Sequence, residues 1–76
     1  MKDIYFLLTP RYLALDFVGP AEAFRMALDE GAPFRLHIAG PATECVSSLG
    51  LVSRIAPLPD AVADGSLVIV VGTVAE

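Results

Sequence analysis

Two short apolar runs dominate the hydropathy pattern of the chain. Ile4–Leu8 and Leu67–Val71 are continuously apolar, without the alternation of apolar and polar positions that marks a strand with one wet face. Such runs are typical of parallel strands that are covered on both faces. We therefore predict one strand over Asp3–Thr9 and another over Leu67–Val71. Pro10 ends the first strand because proline has no N–H to donate to a neighbouring strand.

The segment between these runs begins with a helical pattern, which predicts a helix from about Asp16 to Glu30. Apolar residues recur there every three or four positions and form one stripe for packing on a sheet: Phe17, Ala21, Phe24 and Leu28. Pro20 is tolerable if it falls within about the first turn. Gly31 is placed to end the helix, since glycine adopts the left-handed conformation that follows many helices.

The rest of the segment predicts short elements separated by turn residues. Phe34–Ala39 reads as a second strand that completes a strand–helix–strand unit. Glu44–Ser48 and Leu51–Ile55 read as the two arms of a hairpin around Leu49-Gly50. Pro57 and Pro59 bracket a predicted loop. Asp60–Asp64 reads as a single helical turn capped by its first residue.

Composition indicates that the chain is the front of a larger domain. Of its 76 residues 55% are hydrophobic, and the mean hydropathy is +0.66. This content is high for a chain that buries only about 60% of the surface exposed on unfolding. The last strand is also followed by no helix that could cover it. A membrane span is excluded by length, because the apolar runs are far shorter than the roughly 20 residues required.

Charge and cysteine content narrow the class of protein further. The formal net charge is −4, with five basic residues scattered along the sequence. The segment therefore lacks the basic stripe that binds nucleic acid. The first residues include an acid beside the only lysine and lack a long apolar region, so they are not a secretory signal. A single cysteine suits a reducing cytoplasm.

Five motifs at this spacing carry a resemblance to a known family. They are LDFVGPAEAF at 15–24, FRLHIAGPA at 34–42, SSLGL at 47–51, LPDAVADG at 58–65 and LVIVVG at 67–72. Together they resemble the PfpI-like branch of the class I glutamine amidotransferase-like superfamily, and within it the N-terminal domain of AraC-type transcriptional regulators. The isocyanide hydratase group is the next most similar. The resemblance covers essentially the whole chain.

The resemblance implies an α/β fold, a flavodoxin-like three-layer sandwich with a mostly parallel sheet, of which residues 1–76 would be the N-terminal portion. It also implies a homodimer in the cytoplasm that senses a small-molecule effector and uses no cofactor or metal. In such regulators DNA is bound by two helix-turn-helix motifs in a C-terminal domain, which is absent from this chain. The function expected is thus ligand sensing and dimerisation.

Asp16 is the candidate site residue. It follows the first strand at the carboxyl edge of the expected sheet, where ligands bind in open α/β folds. The resemblance matches it to an acidic residue beside a nucleophilic cysteine, on an elbow expected beyond Glu76. Asp16 would be catalytic only if that site is active, as in a cysteine-dependent enzyme such as an isocyanide hydratase or a stand-alone PfpI-like protein. The alternative interpretation is a helix N-cap, and both roles are compatible.

Two other residues, a cysteine and a histidine, have side chains that can act as nucleophiles or metal ligands. Cys45 lies in a predicted strand beside Glu44 and not at the elbow, so we interpret it as an inert core or half-buried cysteine. His37 has no second histidine or cysteine at ligand spacing. We interpret it as a packed or edge histidine and predict no metal site.

Overall fold

The structure, a computed structural model, describes residues 1–74 and confirms an α/β organisation around a parallel sheet. One helix and six strands follow one another along the chain: β1 (Lys2–Leu7), α1 (Ala14–Asp29), β2 (Phe34–Gly40), β3 (Glu44–Val46), β4 (Val52–Arg54), β5 (Ala56–Pro57) and β6 (Leu67–Val70). Ala75 and Glu76 lie outside the described residues.

The main sheet has the strand order β5-β2-β1-β6, and all of its neighbours are parallel. The predicted first strand is therefore central, with β2 on one side and β6 on the other. Strands β3 and β4 form a separate antiparallel pair, as the hairpin prediction required.

The core lies between α1 and one face of the sheet. Every second residue of β1 and of the position just beyond it contributes to this face: Ile4, Phe6 and Leu8. Phe6 and Leu8 are fully buried. The predicted helical stripe meets them there. The rings of Phe17 and Phe24 pack edge-on against Phe6, with centroids 5.5 and 5.9 Å away. This arrangement is the preferred geometry of aromatic pairs and confirms which side of the helix faces the sheet.

The opposite face of the sheet is only partly covered. Tyr5 and Leu7 on β1 are half-buried, and Val68 and Val70 on β6 are 42% and 70% exposed. The last strand therefore forms where it was predicted, and the faces that its apolar sequence suits for burial are partly exposed in the described part of the chain. The physical reason is that β6 is an edge strand and that α1, the one helix within residues 1–74, packs on the other face.

The helix boundaries differ from the prediction at the start. Helix α1 begins at Ala14 rather than at Asp16. Pro20 consequently lies in the second turn, where its missing N–H leaves the carbonyl of Asp16 without its helical hydrogen bond. At the other end Gly31 has a φ of +89° and donates to the carbonyl of Leu28, as predicted for the helix stop.

Two predictions near the end of the chain need correction. Asp60–Asp64 is not a helical turn; it is irregular and exposed, and a turn follows at Gly65 with a φ of +83°. Five residues without a packed face do not repay the cost of starting a helix. The prediction that Pro57 lies in a loop is also wrong, because Pro57 pairs with Gly40 in the short edge strand β5. Proline is tolerated at a sheet edge because its missing N–H can face away from the neighbour.

Candidate functional site

The candidate site lies where β1 and β6 end at the carboxyl edge of the sheet. The N–H of Leu13 donates to the carbonyl of Gly72 at 2.8 Å, so the start of α1 is tied to the segment that follows β6. The carboxylate of Asp16 is beside the same glycine, 3.7 Å from where a Cβ on Gly72 would be. The connection after β1 leads to β2 on one side of β1, whereas β6 lies on the other side. The carboxyl edge between β1 and β6 is therefore a topological switch point.

The loop between β1 and α1 is held from several directions. Arg11, with a φ of +65°, donates its N–H to the carbonyl of Val46 at 2.7 Å. Tyr12 is buried, and its hydroxyl and that of Ser53 form a hydrogen bond of 2.8 Å. The carbonyl of Tyr12 accepts the N–H of Ser48 at 2.8 Å. The hairpin thus fixes the loop, and the loop fixes the position of Asp16.

Asp16 is not the helix N-cap. Leu13 occupies that position and makes no side-chain capping bond, and Asp16 is the third residue of the helix. A carboxylate in the first turn still interacts favourably with the helix dipole. Its side chain is exposed rather than enclosed, and residues 1–74 form no closed cavity. The described residues therefore provide one wall of an open edge at which a carboxylate can accept hydrogen bonds or pair with a cation.

Cys45 is a core residue, in agreement with its interpretation from the sequence. Its side chain faces inward from β3 and only 4% of its surface is exposed. Burial raises the pKa of the Cys45 thiol, because the thiolate would lose its hydration. A thiol held in its protonated form is a poor nucleophile, so Cys45 does not supply the reactive group of an enzyme.

His37 packs on the sheet face opposite α1. Its ring stacks on Tyr5 with centroids 4.5 Å apart and an angle of 16°. Its Nε2 lies 2.9 Å from the carboxylate of Asp3, which also accepts a hydrogen bond from Arg35 at 3.0 Å. Within residues 1–74 no cluster of three or more acidic, histidine or cysteine side chains could hold a metal ion. His37 is thus a packed histidine in a small polar network.

This network predicts a pH dependence of stability. The hydrogen bond with His37, supported by Arg35, holds the pKa of Asp3 below its ordinary value of 3.8, against a smaller opposing effect of desolvation. A lowered pKa in the folded state contributes stability that is present above the unfolded value and is lost as pH falls through the folded value. We expect the urea concentration at the unfolding midpoint of the original chain to decrease as the pH drops below about 4. The decrease should be less steep in Asp3→Asn.

Urea titrations at a series of pH values from about 6 to about 2 measure this effect. The matched control is Asp29→Asn, which removes a carboxylate from an exposed ion pair with Arg25 on α1. If Asp3→Asn and the control lose stability in acid with the same slope as the original chain, the network does not contribute as described.

The described fold is that of part of a flavodoxin-like α/β domain with a mostly parallel sheet. No family model matches the sequence, and no curated protein matches it either. A crystal structure of an AraC family transcriptional regulator from Pseudomonas putida is similar, with a TM-score of 0.81 and 20% sequence identity. The match covers 97% of this chain and 48% of that chain, so the chain spans about half the length of the regulator structure. At this identity the likeness concerns the fold.

Within residues 1–74 no helix has the length and apolar character that crossing a membrane requires.

Proposed function

We propose that residues 1–76 are the N-terminal portion of the ligand-sensing and dimerisation domain of an AraC-type transcriptional regulator of the PfpI-like, amidotransferase-like type. The fold shared with the Pseudomonas putida regulator supports this, as do the five sequence motifs. In this proposal the protein acts in the cytoplasm as a homodimer. A small-molecule effector binds at the carboxyl edge of the sheet.

The observation that carries the proposal is the position of Asp16. A carboxylate stands at the switch point beside Gly72, which has no side chain to block access. The loop through Tyr12, which is hydrogen-bonded to Ser53 of the hairpin, holds it there without burying it. In the proposed protein a further part of the domain supplies the opposite wall, and the effector donates a hydrogen bond or a positive charge to Asp16.

DNA binding belongs to another part of the regulator in this proposal. The net charge of −4 repels a polyanion, and among the described residues Arg25 and Arg35 are paired with acids. The role of this portion is then to change the geometry or population of the dimer when the effector binds, and so to influence DNA binding by the separate helix-turn-helix domain.

A cysteine-dependent enzyme such as an isocyanide hydratase is the second candidate, and the same carboxylate favours it. Asp16 is at the edge where such an enzyme would hold an acid next to its nucleophile. Cys45 cannot be that nucleophile, because it is buried in the hairpin with a raised thiol pKa. The enzyme would need a second cysteine from another part of the protein.

The variant Asp16→Asn in the natural gene product tests the site. We expect a loss of about 0.3 to 1 kcal/mol in the free energy of unfolding, because the amide no longer interacts with the helix dipole. We also expect transcription from the gene's neighbouring promoter to stop responding to small metabolites supplied to the cells. Urea unfolding and a promoter reporter measure the two effects side by side.

The matched control is Glu22→Gln, the same type of change on the same helix, where the carboxylate pairs with Arg25 at 3.1 Å. This variant should leave the response intact. If Asp16→Asn retains the full response, Asp16 has only a structural role. If the promoter never responds but the protein consumes a small molecule in an Asp16-dependent way, the enzyme is the correct assignment.

A further inference from the structure

The hairpin of β3 and β4 presents apolar side chains on its outer face. Val46 and Val52 are cross-strand partners, and 44% and 63% of their surfaces are exposed. The next pair on this face is Glu44 and Arg54, which are both exposed. Since alternate residues of a strand share a face, these four side chains form one outward surface, which we call the hairpin surface.

The hairpin surface is held in place by the inner side of the hairpin. The Ser53 hydroxyl is bonded to Tyr12, as described above. In the connecting turn the hydroxyl oxygen of the buried Ser47 accepts the N–H groups of Leu49 and Leu51, each at 3.1 Å. The two leucine side chains are themselves exposed and extend the apolar area. A preformed surface loses little conformational entropy when it binds a partner.

The charges make this surface complementary to itself. Neither Glu44 nor Arg54 takes part in an ion pair within residues 1–74. A two-fold axis parallel to the strands would place β3 of one copy over β4 of the other at the same level. Each Glu44 would then face Arg54 of the second copy, and each Val46 would lie against Val52. An axis across the strands would instead set each charge against a valine.

We propose that the hairpin surface is a two-fold contact between two copies of this chain. This inference rests on the dimerisation part of the proposed function and names the surface that performs it. A second copy fits better than an unrelated partner because the acid, the base and the valines recur in the order that an isologous contact requires. The polar ends would fix the alignment of the copies, and the apolar centre would exclude water.

The size of the surface sets the expected affinity. Four side chains and a turn fall at the small end of specific interfaces, below about 1,200 Å² of total buried area. A dimer in the micromolar range follows, so sedimentation velocity at roughly 5 to 200 µM covers the transition. Because each charge acts twice across the two-fold axis, reversing one of them should weaken the dimer about tenfold or more.

Paired charge reversals in the 76-residue chain test the proposal. Glu44→Arg and Arg54→Glu should each be monomeric at concentrations where the original chain dimerises. A mixture of the two variants should form a heterodimer, since every cross-copy pair is then attractive. Lys2→Glu and Glu30→Arg are matched controls with the same changes of net charge at exposed positions away from the hairpin, and they should dimerise normally.

The heterodimer also shows that both variants are folded. If both single variants dimerise as the original chain does, the hairpin surface is not the contact, although dimerisation itself stands. Association that is insensitive to these charges would point instead to the partly covered face of the sheet. If the original chain stays monomeric at about 200 µM, this inference is wrong. Sedimentation of the natural gene product then decides the dimerisation part of the proposed function separately.

Discussion

Gly40→Ala is expected to cost about 3 kcal/mol or more of unfolding free energy, near the upper end of what overpacking causes. A Cβ on this buried glycine would overlap the carbonyl oxygen of Leu8 and lie 2.6 Å from Cδ1 of Ile55. The Leu8 carbonyl cannot retreat easily, because the N–H of the same residue is bonded to Ala39 at 2.9 Å. Urea unfolding followed by circular dichroism measures the loss.

Gly19→Ala is the matched control for this prediction. A Cβ on Gly19 would meet nothing within 4 Å, and the residue lies inside α1. Alanine there should stabilise the chain by roughly 0.5 to 1 kcal/mol, because glycine costs that much in a helix interior. Opposite shifts of the urea midpoint in the two variants are the expected result. A midpoint for Gly40→Ala equal to that of the original chain would show that β1 and β2 can separate without cost.

The parts of the fold that the sequence predicted are those specified by local pattern. The continuous apolar run of β1 predicted a central parallel strand, and it has neighbours on both sides. The helical spacing of Phe17 and Phe24 predicted the side of α1 that meets the sheet, and Gly31 predicted where the helix stops. In each case the residues that decide the structure are close together in sequence.

The errors arise where distant residues decide. The start of α1 depends on Leu13, whose N–H bonds to Gly72 far along the chain. The preference for a capping side chain therefore predicts Asp16 as the start instead. Strand β5 forms because Pro57 meets Gly40 at the sheet edge, and a local rule reads proline only as a breaker. Exposure of β6 likewise depends on which elements pack over it rather than on its apolar sequence.

The candidate site was predictable in position but not in detail. The rule that ligands gather at carboxyl ends of parallel strands placed Asp16 at this edge. Its neighbour Gly72 and the supporting hydrogen bond between Tyr12 and Ser53 join segments that no local pattern connects. The sequence therefore indicated which carboxylate to examine. The fold was needed to show that the carboxylate is open to solvent and held by the hairpin.

Phe6→Ala tests the core that supports both the sheet and the site. Phe6 is fully buried, and its ring meets two aromatic rings of α1. Removing it leaves a cavity between helix and sheet, and a change of this kind costs about 3 to 5 kcal/mol. That is a large fraction of the stability of a small domain, roughly 5 to 15 kcal/mol. We expect cooperative unfolding to be lost or shifted to much lower urea concentration.

A smaller change at the same position keeps the test interpretable if the alanine variant does not fold. Phe6→Leu retains most of the buried apolar volume and should lose about 1 to 2 kcal/mol. Val70→Ala is the control on the sheet, because this side chain is 70% exposed, and it should change stability by about 0.5 kcal/mol or less. The urea midpoint should therefore be highest in Val70→Ala, lower in Phe6→Leu and lowest in Phe6→Ala. Equal midpoints for Val70→Ala and Phe6→Ala would mean that α1 does not pack on β1 through Phe6.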